Sequence, residues 1–188
     1  SVAALGMPPK GPWKETLYGA YKLANEHTAF VYWADWQVPS IGIRPNIVYG
    51  LARDQGMSSK NTVAIQAAVL DKSYKIPYTG KYSWLYAGEA ALAFITSVSN
   101  DMVGSNVFNL NGSCETIENG LKLIKELKPN SSVTCEGQPL PFPPDLDDLP
   151  LRKYVGDYTS VSVQKGIEHT LRAFETLKSE GKCPDVPI

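Results

Sequence analysis

Cysteine is scarce: the 188 residues hold three, Cys114, Cys135 and Cys183, far apart and odd in number, with no C-x-x-C pair. Such a set builds neither a disulfide scaffold nor a zinc site, and it suits a reducing compartment. Histidine is scarcer still. His27 and His169 both fall on expected helices, where a polar side chain more often faces solvent than catalyses, so a Ser-His-Asp hydrolase is set aside. No apolar run approaches the roughly 18 residues of a membrane span, and no charged-then-apolar leader precedes the first motif. The net charge is -1 with no basic stripe, which gives no reason to expect nucleic acid or a membrane as partner. A cytoplasmic protein is the expectation.

Several chemical signatures are missing as well. There is no G-x-x-x-x-G-K-[ST] phosphate loop, no G-x-S-x-G elbow, no H-E-x-x-H and no G-x-G-x-x-G turn. The acidic cluster Asp145, Asp147 and Asp148 lacks the glycine and terminal glutamate of a calcium loop, so "GQPLPFPPDLDDLP" reads as a solvated surface loop and no metal is expected.

What is present is a globular composition, 43% hydrophobic and 20% charged, in strands and helices that alternate. "SVAALG" reads as a strand and "MPPKGPWK" as a loop. From about Glu15 to Trp36 apolar residues recur at three- and four-residue steps, a helix apolar on two sides and therefore expected to bury more than one face. Pro39 ends it. "SIGIRPNIVYG" is a buried strand, and "LARDQGMSSK" a loop leading to a helix over about 61–71. "YKIPYTG" is a short irregular strand and "EAALAFITSV" a helix. "NVFNLNG" is a strand, "TIENGLKLIKEL" an amphipathic helix, "SSVTCE" a further strand, and about 162–179 the closing helix. The pattern predicts an α/β fold with a mostly parallel sheet.

One pair on the long helix carries chemistry. In "LYGAYKLANE", Tyr18 and Lys22 are four residues apart and hence on one face. A phenol titrates near about 10 in water, and a fixed positive charge beside it lowers that value, which makes the pair a general acid/base for a hydroxyl or carbonyl. With 10 tyrosines and 14 lysines in 188 residues, chance alone supplies roughly one such pair. Glu26 lies four residues beyond Lys22, so a surface ion pair with a packed Tyr18 is the competing reading.

The pair does not stand alone. "SVAALG", "LYGAYKLANE", "IGIRPNIVYGLARDQG", "LYAGEAALAF" and "NVFNLNG", in that order, resemble the second half of an extended short-chain dehydrogenase/reductase of the NAD-dependent epimerase/dehydratase group. The resemblance implies a partial Rossmann-like parallel sheet over residues 1–50. It also implies a small α/β substrate-binding subdomain, mainly 51–188, with some elements returning to the first part. It implies NAD or NADP as cofactor and a sugar-like or small polar substrate changed at a hydroxyl or carbonyl. Ser1 would hold the reacting oxygen, Tyr18 would be the acid/base and touch the cofactor, and Lys22 would bind the nicotinamide ribose. Pro45, Asn46, Ile47 and Val48 would line the cofactor, and Ser1, Asn46 and Arg53 the substrate. Glu26 and Arg44 would be structural.

The resemblance further implies a homodimer through the helix 15–36 and an N-terminal half carrying the glycine-rich pyrophosphate turn. Departures from the family pattern are Ile47 where an asparagine often touches a nucleotide-sugar, Leu51 for a proline, Tyr21 for a serine and Glu89 for an aspartate. The alternative is a reductase-like module that binds without turnover, or an inactive fragment.

Overall fold

In the computed structural model, which describes residues 1–6, 16–99, 101–156 and 158–187, the chain divides into two units. The first comprises Ser1–Asn46, Glu89–Asn111 and Leu146–Thr159. Its longest element, α1 (Leu17–Trp36), begins at Thr16, whose Oγ1 accepts the Gly19 N–H at 3.0 Å. That bond satisfies one of the amides a first turn leaves open. At the other end Gln37 turns left-handed (φ 55°) and its N–H returns to the Trp33 carbonyl, two residues before Pro39, which has no N–H to continue a helix. Residues that meet the rest of the unit fall on one line: Gly19 is buried, and Lys22, Glu26, Ala29 and Trp33 are half-buried, at alternating steps of three and four. Leu17, Tyr21, Phe30, Tyr32 and Trp36 stay exposed, so the two-sided burial expected of this helix is not made among the described residues.

The expected strand "SVAALG" is instead a single 3-10 turn over Val2–Leu5. Ser1 Oγ accepts the Ala3 N–H at 3.3 Å, and the Ala4 N–H bonds the Ser1 carbonyl at 3.0 Å. Val2 and Ala4 are buried all the same, so the apolar run signalled burial rather than a strand. The turn rests on α1 where Gly19 has no side chain; a Cβ there would stand 2.5 Å from the Ala3 carbonyl oxygen. The loop expected over 7–14 and the helix start at Glu15 lie outside the described residues.

Strand β1 (Ser40–Pro45) pairs in parallel with a strand over Ser105–Leu110, residue for residue from Ser40 with Ser105 to Pro45 with Leu110. Helix Ala87–Val98 lies largely in this unit. The proline- and acid-rich segment is not wholly solvated as expected. Leu149–Val155 is a short helix, and Arg152 donates through Nε and Nη2 to the two oxygens of Asp148 at 3.3 and 3.2 Å. The Tyr158 hydroxyl donates to Asp148 at 3.1 Å, and the Arg152 guanidinium also stands 3.9 Å from Glu89, which is 2% exposed. Asp145 and Asp147 are exposed, as a surface loop requires.

The second unit comprises Ile47–Gly88, Gly112–Asp145 and Ser160–Ile188. Its three-stranded sheet runs β2 (Val48–Tyr49), then Lys81–Tyr86 in parallel, then Ser113–Thr116 antiparallel, and Tyr74–Ile76 pairs in parallel with Val133–Cys135. In chain order these are β3 (74–76), β4 (81–86), β5 (105–110), β6 (113–116) and β7 (133–135); the helices are α2 (60–69), α3 (87–98), α4 (117–127), α5 (149–155) and α6 (163–179). Strand β4, "KYSWLY", is buried at four consecutive positions, so it lacks the alternation that marks a half-buried strand. Its Trp84 is fully buried, with the rings of Tyr49 and Tyr82 edge-on at 5.1 and 5.4 Å. No described helix is long and apolar enough to cross a membrane.

A pH prediction arises in this core. The Tyr82 hydroxyl donates to the Ser58 carbonyl at 2.7 Å and the Tyr78 hydroxyl to Asn61 Oδ1 at 2.9 Å, the two rings stacked 5.9 Å apart. Burial is the main cause that pushes both phenols well above the ordinary tyrosine range. In the unfolded chain they titrate near about 10, so their contribution is complete below that pH and is lost as pH rises toward the folded values. The melting temperature of this unit is expected to hold between neutral pH and about pH 9 and to fall above about pH 10. Tyr82→Phe loses about 1 kcal/mol at neutral pH and shows a shallower alkaline fall. Near-UV circular dichroism melts across this range check it, and an equally steep fall in Tyr82→Phe refutes it.

Candidate active site

The sequence-predicted residues of the first unit fall in two places, at the start of α1 and at the carboxyl end of β1. Tyr18 lies in the first turn of α1 and is 57% exposed. Lys22, one turn on, places Nζ 5.2 Å from the centroid of the Tyr18 ring, within the range of a cation–π contact. The α1 backbone dictates this, because residues four apart stand above one another. Among the described residues neither side chain forms a hydrogen bond or ion pair. Ser1 immediately precedes the 3-10 turn that rests on α1. Its Oγ caps that turn through Ala3, and no hydrogen bond between Ser1 Oγ and the Tyr18 hydroxyl is formed.

Glu26 pairs with β1 and not with its own helix. Arg44 on β1 takes both of its oxygens, Nε to Oε1 at 2.8 Å and Nη2 to Oε2 at 2.6 Å, with the two side chains 20% and 15% exposed. The bidentate bond to Glu26 is the main cause that raises the Arg44 guanidinium above its ordinary range. Lys22 therefore does not pair with Glu26.

At the strand ends, Pro45 is the last residue of β1, and the next residue, Asn46, is buried. The Asn46 N–H bonds the Leu110 carbonyl at 2.9 Å and its Nδ2 donates to Asn111 Oδ1 at 2.7 Å. Asn111, read from sequence only as part of an Asn-Gly turn, is the partner of Asn46 that the sequence reading missed. Its signal was available: it follows a strand parallel to β1 in the same register, and ligands of open parallel sheets sit at the carboxyl ends of strands. Three predicted residues belong to the second unit. Ile47 is buried in its core, Val48 is half-buried in β2, and Arg53 is half-buried, donating to the Gln55 carbonyl and, at 3.3 Å, to Ser58 Oγ. No group of three or more His, Cys, Asp or Glu that could hold a metal occurs among the described residues.

Residues 8–110 match the model of the NAD dependent epimerase/dehydratase family. The chain belongs to that family. No curated protein sequence matches it. Similar folds include L-threonine dehydrogenase from Clostridium difficile, with a TM-score of 0.79, 19% identity, and 98% of this chain on 63% of that one. A GalE-like L-threonine dehydrogenase from Cupriavidus necator gives 0.79 and 19%, with 92% of this chain on 63% of that one. UDP-glucuronic acid 4-epimerase from Bacillus cereus, in complex with UDP-glucuronic acid and NAD, gives 0.73 and 18%, with 93% of this chain on 59% of that one. The chain thus spans less than two thirds of the length of these structures, which share its mixed α/β architecture.

The residues present fit one end of NAD. A ribose presents hydroxyls, and the Lys22 ammonium, which no described carboxylate engages, is a donor of the right chemistry for them. A pyrophosphate needs a turn of glycine amides at a helix start, and the chain contains no G-x-G-x-x-G run to provide one.

Proposed function

We propose that this chain carries the acid/base half of an NAD-dependent epimerase, dehydratase or reductase acting at a hydroxyl or carbonyl of a sugar-like or small polar substrate. The observation that carries the proposal is Lys22 lying over the exposed Tyr18, with the nearby carboxylate, Glu26, occupied by Arg44. Tyr18 takes the substrate hydroxyl proton on oxidation and returns it on reduction, and Ser1 hydrogen-bonds the reacting oxygen. Lys22 binds ribose hydroxyls and keeps a positive charge beside the phenol while its proton is away. Bound NAD supplies the hydride acceptor. Pro45 and Asn46 flank the nicotinamide, Asn46 also faces substrate, and the pyrophosphate seat comes from residues outside this chain. The first unit is the Rossmann-like part and the second mainly the substrate-binding part.

The test is Tyr18→Phe in the protein that joins this chain to a cofactor seat. Turnover is lost while NAD binding persists; a fully active variant sinks the assignment.

The exposed Tyr21, Phe30, Tyr32 and Trp36 on α1 support a second proposal, pairing of this helix with that of another copy. Light scattering at micromolar concentration is expected to give a dimer mass, and a monomer mass counts against the pairing.

A further inference from the structure

We infer that Arg44 is a positioning residue for Lys22, acting by holding both carboxylate oxygens of Glu26. The inference rests on the proposed role of Lys22 and adds how that role is protected. Lys22 and Glu26 are four residues apart on α1, a spacing at which lysine and glutamate reach one another on a helix surface. Left to its own helix, Glu26 would draw the Lys22 ammonium one turn toward the carboxyl end, away from the Tyr18 ring.

Arg44 removes that option by chemistry and by placement. Its planar guanidinium meets both carboxylate oxygens at once, at 2.8 and 2.6 Å, which a single ammonium cannot do. The pair is 20% and 15% exposed, so water screens it less than it would a surface pair. Arg44 comes from β1, whereas Glu26 and Lys22 share α1, so the strand fixes where on the helix the carboxylate points. The consequence is an ammonium with no anionic partner among the described residues, resting 5.2 Å from the Tyr18 ring centroid.

Acylation of Lys22 by a small N-hydroxysuccinimide ester, followed by peptide mass spectrometry with exposed Lys165 as internal reference, reads this directly in the 188-residue chain. Arg44→Met is expected to slow Lys22 labelling by about twofold, because Glu26 then engages the ammonium. Adding Glu26→Gln to Arg44→Met is expected to restore the wild-type rate, which loss of packing alone would not do. An unchanged Lys22 rate in Arg44→Met with wild-type circular dichroism overturns the inference. Should Arg44→Met fail to fold, Glu26→Gln alone decides: the Lys22 rate stays within about 1.2-fold of wild type, and a rise of about twofold shows that Glu26 was pairing with Lys22 all along. The labelling requires neither NAD nor turnover. A failed Tyr18→Phe test therefore overturns the catalytic proposal and leaves the labelling result standing, and the converse holds.

Discussion

Tyr18→Phe is expected to lower turnover by about 10²–10⁴-fold, a barrier increase of roughly 3–5 kcal/mol, while NAD affinity changes by less than about threefold. The size follows from what the substitution removes. Only the hydroxyl goes; the ring remains, and with it the face on which the Lys22 ammonium rests at 5.2 Å. The hydroxyl makes no hydrogen bond to a described residue and the side chain is 57% exposed, so folding stability should stay within about 0.5 kcal/mol of wild type. Those two expectations together separate proton transfer from structure. A loss of turnover with an unchanged melting curve and an unchanged NAD titration identifies the phenol as the proton carrier. A loss accompanied by weaker NAD binding and a lower melting temperature would place Tyr18 in the scaffold instead. Lys22→Met supplies the complementary case, because the ammonium is assigned both to the ribose and to the charge beside the phenol; it should weaken NAD binding and turnover together.

How much of this could be read from sequence differs by element, for physical reasons. Helix α1 was legible because Pro39 and a 3.6-residue period bound it, and the Tyr18–Lys22 contact follows from helix geometry alone. Whether Glu26 prefers Lys22 or Arg44 was not legible. One cation is four residues away and the other eighteen, and only the docking of α1 on β1 shows that the fork of Arg44 reaches both oxygens. Strand β4 escaped notice because Tyr82, Ser83, Trp84 and Leu85 are all buried, which erases the alternation a strand usually shows. The same confusion of burial with strand turned Val2–Leu5 into an expected strand when it is a 3-10 turn. Asp148 was read as solvated from its proline- and acid-rich company, but the short helix that follows presents Arg152 one turn later, and the two pair. Composition describes a neighbourhood, whereas a single i,i+4 partner decides where one carboxylate goes.

Gly112→Ala is expected to destabilise the second unit by about 3 kcal/mol or more, the upper end of what overpacking does, lowering its melting temperature by roughly 10 °C. A Cβ at this position would stand 2.2 Å from the Trp84 carbonyl oxygen and 2.3 Å from the Leu85 nitrogen. Both are main-chain atoms of β4, pinned between β2 and β6, so neither can swing aside. Gly120→Ala makes the instructive contrast. In an exposed helix interior this change would stabilise by about 1 kcal/mol through helix propensity. Here the new Cβ would meet Trp84 Cζ2 at 2.1 Å, and the Trp84 ring is itself held edge-on by Tyr49 and Tyr82. The obstacle at Gly120 is therefore a side chain and at Gly112 a backbone. Trp84→Phe removes Cζ2, so it should recover part of the Gly120→Ala loss and none of the Gly112→Ala loss. Thermal melts of the two double variants against their parents decide the matter: equal recovery in both, or a Gly112→Ala chain that melts with wild type, would show that β4 does not pack on Gly112 through its main chain.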